Sequence, residues 1–176
     1  GVDVHTFFGN ISGIAGTTFS NPAFESARGA IGANSGTVED EEFRLECIRA
    51  YNDFQIEEYS NPYPGRFITL ACLPLWSVDR AVEELWRNKA NGTKGISFAF
   101  PHQFGYPHIA DEYWDPLWRA AQEAKLPVNL HIGSGASMGM ASDPVPGDPL
   151  FVLADRSTKS ISANTQVMST ILFSRI

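Results

Sequence analysis

The segment Phe67–Leu73, FITLACL, is a near-continuous run of apolar residues and is the clearest structural signal in the sequence. A run of this kind predicts a strand buried on both faces, as in a parallel sheet that is covered by helices. Two similar runs follow it, GISFAF at residues 95–100 and VNLHI at residues 128–132, and VDVHTFF at residues 2–8 precedes it. We therefore predict a strand in each of these segments.

Amphipathic helices are predicted between the strands. The first begins after Thr37 and carries mostly apolar residues at helical spacing over Phe43–Phe54. The second is capped by Ser77, and the third has Pro116 in its first turn. This β-α-β-α-β-α-β order predicts an α/β fold with a parallel sheet and helices packed outside it. The pattern by itself fits both a TIM barrel and an open doubly wound sheet.

The composition is that of an ordinary globular protein, with 176 residues, 43% of them hydrophobic, and a formal net charge of -7. No cluster of lysine and arginine stands out, which argues against binding to nucleic acid or to an anionic membrane. No apolar segment approaches the length of a membrane span, and the first residues lack the features of a signal peptide. The two cysteines, Cys47 and Cys72, are predicted to be buried free thiols, so we expect a cytoplasmic protein.

The whole chain, residues 1–176, is expected to be a single partial domain. Residues 9–36 are rich in Gly, Ser, Asn and Thr and are expected to form a long loop insertion. The chain does not begin with Met, and residues 167–176 predict a helix without a cap or a following turn. We therefore expect both ends to be truncated relative to a longer protein.

His131 is the main candidate for a functional residue. It lies near the end of the last predicted strand, shortly before Gly133-Ser134-Gly135. In parallel α/β folds the active site is at the carboxyl ends of the strands, where an imidazole can bind a metal ion or act as a base. A core histidine that is hydrogen-bonded to the backbone is an equal alternative for this residue taken alone.

Other side chains follow the predicted strands and are candidates for contacting a substrate. Trp76 comes shortly after FITLACL, and Phe100 and His102 lie at the end of the next predicted strand. For Trp76 the competing interpretation is a packing aromatic, and for His102 and His108 it is an exposed loop histidine. His5 lies in the middle of a predicted strand and is expected to be a barrel-interior or packing residue.

Several polar residues are expected to have structural roles. Asn52 and Asp53 have poor helix propensity, so they are expected to pin the first helix to a neighbouring loop. Glu83 and Glu84 are expected to face solvent. The chain contains no His-x-His, His-Glu-x-x-His or Cys-x-x-Cys motif. His131 alone cannot hold a catalytic metal, because such a site needs about three protein ligands.

Four segments of the chain resemble the amidohydrolase-related family, which includes enzymes similar to aminocarboxymuconate-semialdehyde decarboxylase. They are YNDF (51–54), YPGRFITLACLPLWSVDRAVEEL (63–85), GTKGISF (92–98) and YWDPLWRAAQEAKLPVNLHIGSG (113–135). The order of these segments is specific, and the resemblance is strongest over residues 51–135. It implies that the chain covers roughly strands two to five, with their helices, of a (β/α)8 TIM barrel.

The resemblance also implies a function. Members of the family hold a divalent metal, commonly zinc or manganese, and His131 matches the metal-binding, catalytic histidine that ends their fifth strand. The implied activity is that of a metal-dependent hydrolase or decarboxylase (a carboxy-lyase) with a small carboxylic acid as its substrate, and homo-oligomers are common. Phe100 and Trp76 favour an aromatic or unsaturated acid. The isolated chain is expected to be inactive, because the remaining ligands would lie on strands that it lacks.

Two alternatives remain open at this point. One is a catalytically inactive half-barrel module that acts through self-association by its open strand edges. The other is an open sheet that binds a nucleotide cofactor near Gly133-Ser134-Gly135.

Overall fold

A computed structural model describes residues 2–7, 41–98, 101, 106–130, 150, 154, 158, 165, 168–174 and 176. The predicted loop insertion at residues 9–36 lies outside the described residues. So do the last residues of two predicted strands, 99–100 and 131–132.

Within the described residues, the strands are β1 (His5–Phe7), β2 (Phe67–Ala71), β3 (Gly95–Phe98) and β4 (Val128–Leu130). They pair in parallel and lie side by side in the order of the chain, β1-β2-β3-β4. An open doubly wound sheet reverses its strand order at a switch point, whereas a TIM barrel adds each strand beside the last. The sequential order therefore decides between the two predicted folds, and the structure is part of a (β/α)8 barrel.

A helix connects each neighbouring pair of strands. Helix α1 (Glu41–Gln55) continues into a π-helical turn (Ile56–Ser60), α2 spans Val78–Ala90, and a 3-10 turn (Glu112–Trp114) leads into α3 (Asp115–Ala124). The predicted helix at the end of the chain is also present, since residues 168–173 are helical. Among the residues described, no helix has both the length and the apolar character that crossing a bilayer requires.

Local sequence explains where these helices begin and end. The predicted N-cap of α2 is confirmed, because the Ser77 hydroxyl accepts a hydrogen bond from the Arg80 N–H. Pro116 lies in the first turn of α3, where its missing N–H costs nothing. After α2 the chain turns at Gly92, whose φ of 98° is in the left-handed region that favours glycine.

The main core lies between the sheet and helices α2 and α3. Phe98 packs edge-on against Trp114 and Trp118, with ring centroids 5.8 and 5.0 Å apart. Trp114 and Phe98 are fully buried, and both rings therefore contribute their large apolar area to stability. The core also contains smaller side chains from both helices, from β2 and β3 and from the loop between β2 and α2, namely Ala71, Leu73, Leu75, Ala81, Leu85, Ile96, Leu117, Ala120, Ala121 and Ala124.

The opposite face of the sheet is smaller and more polar. Side chains alternate along a strand, so Gly95, Ser97 and Asn129 point away from the helix-facing residues Ile96 and Phe98. A Cβ on Gly95 would come within 2.8 Å of Asn129 Nδ2 and 2.9 Å of Leu70 Cδ2. A larger residue there would require the Asn129 and Leu70 side chains to shift, and this face is the interior of the barrel.

Two expectations about burial, for Glu84 and Cys47, are wrong. Glu84 was expected to face solvent, but it is only 1% exposed because polar groups on α1 and α2 surround its carboxylate. Trp86 on α2 is 41% exposed. Cys47 is half-buried, whereas Cys72 is fully buried; both are free thiols, as predicted.

Candidate active site at the carboxyl ends of the strands

The carboxyl ends of the strands, the amino end of α1 and the loop between β2 and α2 lie at the same end of the barrel. Trp76 is on that loop, five residues beyond the end of β2. His131, His102 and Phe100, the other residues singled out in the sequence, lie outside the described residues. Their assignment to the site stays a prediction.

Trp76 rests on a small cluster at the end of β2. Cys72 and Ile48 are the buried members of this cluster, and Trp76 and Tyr51 pack against them. The guanidinium of Arg44 lies over the indole ring, 3.9 Å from its centroid. This separation is well within the range of a cation–π contact. Trp76 is half-buried and therefore packs as the competing interpretation held, and its assignment as a substrate contact stays a prediction.

Asn52 holds the backbone at the point where β2 ends. Its amide Nδ2 donates to the Cys72 carbonyl at 2.9 Å, and its Oδ1 accepts from the Cys72 N–H at 2.8 Å. The side-chain amide thus satisfies both the backbone N–H and the backbone carbonyl of Cys72, as a neighbouring strand would. The expectation that Asn52 pins helix α1 to a loop is confirmed.

The carboxylate of Glu84 joins Asn52 to helix α2. Its Oε1 accepts hydrogen bonds from Asn52 Nδ2 at 2.8 Å, Asn88 Nδ2 at 2.6 Å and Arg87 Nη2 at 2.8 Å. Its Oε2 accepts from Arg87 Nε at 2.8 Å, and Arg49 Nε lies 3.5 Å away. A buried carboxylate is stable only when paired and hydrogen-bonded in this way.

Arg87 completes the connection to helix α1. Its Nη1 donates to Asp53 Oδ1 at 2.7 Å. The hydrogen bond with Glu84, followed by the one with Asp53, raises the pKa of the guanidinium above its ordinary value. We call Asn52, Asp53, Glu84, Arg87 and Asn88 the polar clamp. It fixes α1, α2 and the end of β2 relative to one another, and thereby the loop that carries Trp76.

Cys72 is not available for chemistry in the folded chain. Burial, and secondarily the negative charge of Glu84, raises the pKa of its thiol from 9.0 to about 12. The thiolate is the form that attacks electrophiles and binds metals, so Cys72 is inert at neutral pH.

Two described histidines do not contribute to a cluster of possible metal ligands. His5 pairs in register with Phe67, and their rings meet edge-on at 6.4 Å. His5 is exposed, so its packing is limited to this edge contact. Alternation from Ala71 places Phe67, and with it His5, on the helix-facing side and not in the barrel interior. His108 is exposed and accepts a hydrogen bond from the Ala110 N–H at 3.2 Å.

Sequence reasoning missed three residues near this end of the barrel. Ser97 and Asn129 face the interior, and the alternation in GISF and VNL is the signal that would have identified them. The buried Ser97 hydroxyl has no hydrogen-bond partner within the described structure. Arg44 had no local signal, because its contact with Trp76 joins distant parts of the chain.

The described residues alone do not fit a metal ion. No group of three or more His, Cys, Asp or Glu side chains within them is arranged to hold one. A catalytic zinc site needs about three protein ligands. The described part of the chain therefore does not constitute a metal centre.

Comparison with known proteins agrees with this architecture. The chain matches the family model described as Amidohydrolase over residues 8–166. The structure is similar to 2,6-dihydroxybenzoate decarboxylase from Rhizobium, with a TM-score of 0.53 and 21% sequence identity over 85% of this chain. It is also similar to a "putative amidohydrolase" from Staphylococcus aureus, with a TM-score of 0.47 and 23% identity over 63% of this chain.

This chain covers only part of the length of each of the two structures. The chain spans 38% of the Rhizobium enzyme and 36% of the Staphylococcus protein. No curated protein matches the sequence. The family model nevertheless covers most of the chain, and the parallel, sequentially ordered strands are those of a partial TIM barrel. The chain belongs to the amidohydrolase family.

Proposed function

We propose that this chain is part of a metal-dependent enzyme that either decarboxylates a small carboxylic acid or hydrolyses an amide or ester bond in a derivative of such an acid. The observation that carries the proposal is the family match over residues 8–166 on a partial barrel whose strands share one carboxyl edge. Members of this family are typically metal-dependent. When bound, a divalent metal supplies Lewis-acid polarisation of the substrate or a more acidic bound water.

We propose His131 as one ligand of that metal. It follows β4 directly and is two positions beyond Asn129, which faces the barrel interior. Regular alternation would direct side chains at 129 and 131 to the same face. The remaining ligands are proposed to lie on strands that this chain does not include, so the isolated 176-residue chain should bind metal weakly and lack turnover. Zinc is the first metal to test and manganese the second.

An aromatic acid is the substrate class that we favour. Trp76 presents a half-exposed indole at the strand ends, and the fold resembles that of an enzyme named for 2,6-dihydroxybenzoate. We propose substrate contacts for Trp76, Phe100 and His102. The products distinguish the two activities. A decarboxylase releases CO2 and a phenol, whereas a hydrolase releases an acid together with an amine or an alcohol.

The experiment is a comparison of the longer protein with the isolated chain. Both are incubated with zinc or manganese and with 2,6-dihydroxybenzoate or with aryl amides and esters, and CO2 release or hydrolysis is followed. We expect one of the two reactions in the longer protein and neither in the isolated chain. Turnover by the isolated chain would refute our assignment of missing ligands, and inactivity of the metal-loaded longer protein on every substrate would contradict the enzyme proposal.

A self-associating, inactive half-barrel is the second candidate, and exposed apolar side chains favour it. Phe173 is 87% exposed and Leu172 is 72% exposed on the final helix, and Val128 on β4 is 39% exposed. Surface of this kind is typical of an interface. Sedimentation of the isolated chain, compared with a Leu172→Asp, Phe173→Asp variant, tests it. A stable oligomer lost in the variant supports this candidate, and a monomer at all concentrations opposes it.

A further inference from the structure

We propose that Arg44, stacked on Trp76, binds the carboxylate of the substrate at the rim of the barrel. This inference deepens the proposed function and rests on it for the identity of the ligand as a substrate. The geometry points to a planar, aromatic carboxylic acid as the chemical class.

The position of Arg44 on helix α1 directs its side chain toward the strand ends. Arg44 lies in the first turn of α1, four and eight residues before Ile48 and Asn52. Ile48 is fully buried against Cys72, and Asn52 bonds to the backbone of Cys72. Residues at this spacing share one helix face, so Arg44 extends the sheet-facing stripe to the active-site end.

Among the described residues of α1 and α2, Arg44 is an arginine that forms no ion pair with a carboxylate. On α1 and α2, Arg49, Arg80 and Arg87 each form an ion pair with a glutamate or aspartate. Within the described residues Arg44 has no such pair, and its buried Nε has no hydrogen-bond partner. A guanidinium with a desolvated N–H and no counter-ion is a strong site for an anion.

The two acidic residues described in the first turn of α1, Glu41 and Glu42, do not pair with Arg44. Glu42 is bound by Arg80, and this hydrogen bond lowers the pKa of the Glu42 carboxyl. Glu42 is therefore ionised and committed to Arg80. Glu41 in the same turn is exposed and forms no ion pair with Arg44. Interactions between exposed charges are weak in water, so Glu41 reduces the affinity of the site for an anion only modestly.

The contact partners specify the shape of the ligand. Arginine presents a planar fork that matches a carboxylate with two parallel hydrogen bonds. The indole ring of Trp76, whose centroid is 3.9 Å from the guanidinium carbon, offers a flat apolar surface beside the charge. Its buried Nε1 also has no hydrogen-bond partner in the described structure. A benzoate-like acid fits both groups, whereas a small inorganic anion uses Arg44 alone.

The test follows the indole N–H of Trp76 by NMR in the 176-residue chain labelled with 15N-tryptophan. The chain has four tryptophans, and the peak that disappears in Trp76→Phe assigns the signal. We expect benzoate to shift this peak saturably and benzamide, its uncharged analogue, to leave it unmoved. Arg44→Gln should weaken benzoate binding by at least about tenfold, since hydrogen bonds to charged groups are among the strongest. Arg44→Lys should be intermediate.

The matched control is Arg66→Gln. Arg66 lies at the other ends of the strands, directly before β2, where it is exposed and donates to the Val2 carbonyl. It should leave benzoate binding unchanged. Equal loss of binding in Arg66→Gln, no response of Trp76 to benzoate, or an equal response to inorganic phosphate would each overturn the proposal.

This measurement requires neither metal nor turnover. If benzoate does not bind while the longer protein is active, the Arg44 assignment fails and the proposed function stands. If benzoate binds through Arg44 but the longer protein is inactive, the anion site stands and the proposed function fails.

Discussion

The two neighbours of helix α2 contact it in different ways. Toward α3 the contact is apolar, with Leu85 and Ala81 buried in the same core as Leu117 and Trp114. Toward α1 and the end of β2 the contact is the polar clamp, in which Glu84 is hydrogen-bonded to Asn52, Arg87 and Asn88.

Stability and positioning are supplied by different contacts of helix α2. Apolar packing is non-directional, and its contribution scales with buried area. A buried hydrogen-bonded carboxylate is costly unless every donor is in place, so it tolerates few arrangements. The polar clamp therefore fixes one orientation of the loop that carries Trp76, at the end of the sheet where the active site is proposed.

The largest effect is expected in the apolar core. Trp114→Ala should lower the free energy of unfolding by about 3–5 kcal/mol, because it leaves a cavity beside Phe98 and Leu117. Chemical denaturation measures the change. Trp86→Ala is the matched control, since Trp86 is 41% exposed. Equal losses in the two variants would show that the core does not lie where the structure places it.

The second-largest loss of stability is expected when the polar clamp is broken at Glu84. Glu84→Ala removes the acceptor of Asn52, Arg87 and Asn88 and should cost about 3 kcal/mol, as for a broken buried ion pair. The exposed neighbour Glu83→Ala should cost less than about 0.5 kcal/mol. Thermal and denaturant unfolding of both variants provide the measurement, and similar stability of the two would contradict the clamp.

A smaller loss of stability is expected for Asn52→Ala, together with a change in the NMR signal of Trp76 alone among the tryptophans compared. The Cys72 N–H and carbonyl lose their partner, at a cost of about 2 kcal/mol. The Trp76 indole signal should shift, while the signals of Trp114 and Trp118 in the apolar core should not. If all three move together, the clamp does not act specifically on the Trp76 loop.

The smallest effect concerns the thiols. At pH 8 a thiol reagent should modify the half-buried Cys47 and leave Cys72 unmodified until the chain unfolds. The folded-state pKa of Cys72 is raised, so its contribution to stability is present below pH 9.0 and is lost as pH rises toward about 12. Rapid labelling of Cys72 in the native chain would show that the end of β2 opens readily.

Sequence patterns predicted the elements well because apolar runs and helix caps are local signals. FITLACL, GISF and VNL gave the strands, and Ser77 and Pro116 gave the starts of two helices. The burial of Glu84 was unpredictable, because its partner Asn52 is 32 residues away in sequence. The Arg44–Trp76 contact is non-local in the same sense, since it joins α1 to the loop after β2.

The candidate site was predicted less completely than the fold. The residue pattern could not separate a barrel from an open sheet, and the family resemblance together with the strand order does so. Trp76 was identified from its place after a strand, but the interior position of Ser97 was missed although it follows from alternation in a short strand. The roles of His131, His102 and Phe100 remain predictions.

The most direct test of the central claim is the metal content of the longer protein with and without His131. His131→Ala is compared with His108→Ala, which removes an exposed histidine from the loop after β3. Each variant is purified with zinc present, dialysed and analysed by elemental mass spectrometry. We predict that His131→Ala loses most of its bound metal and that His108→Ala retains it. Normal metal content in His131→Ala would contradict the assignment of His131 as a ligand.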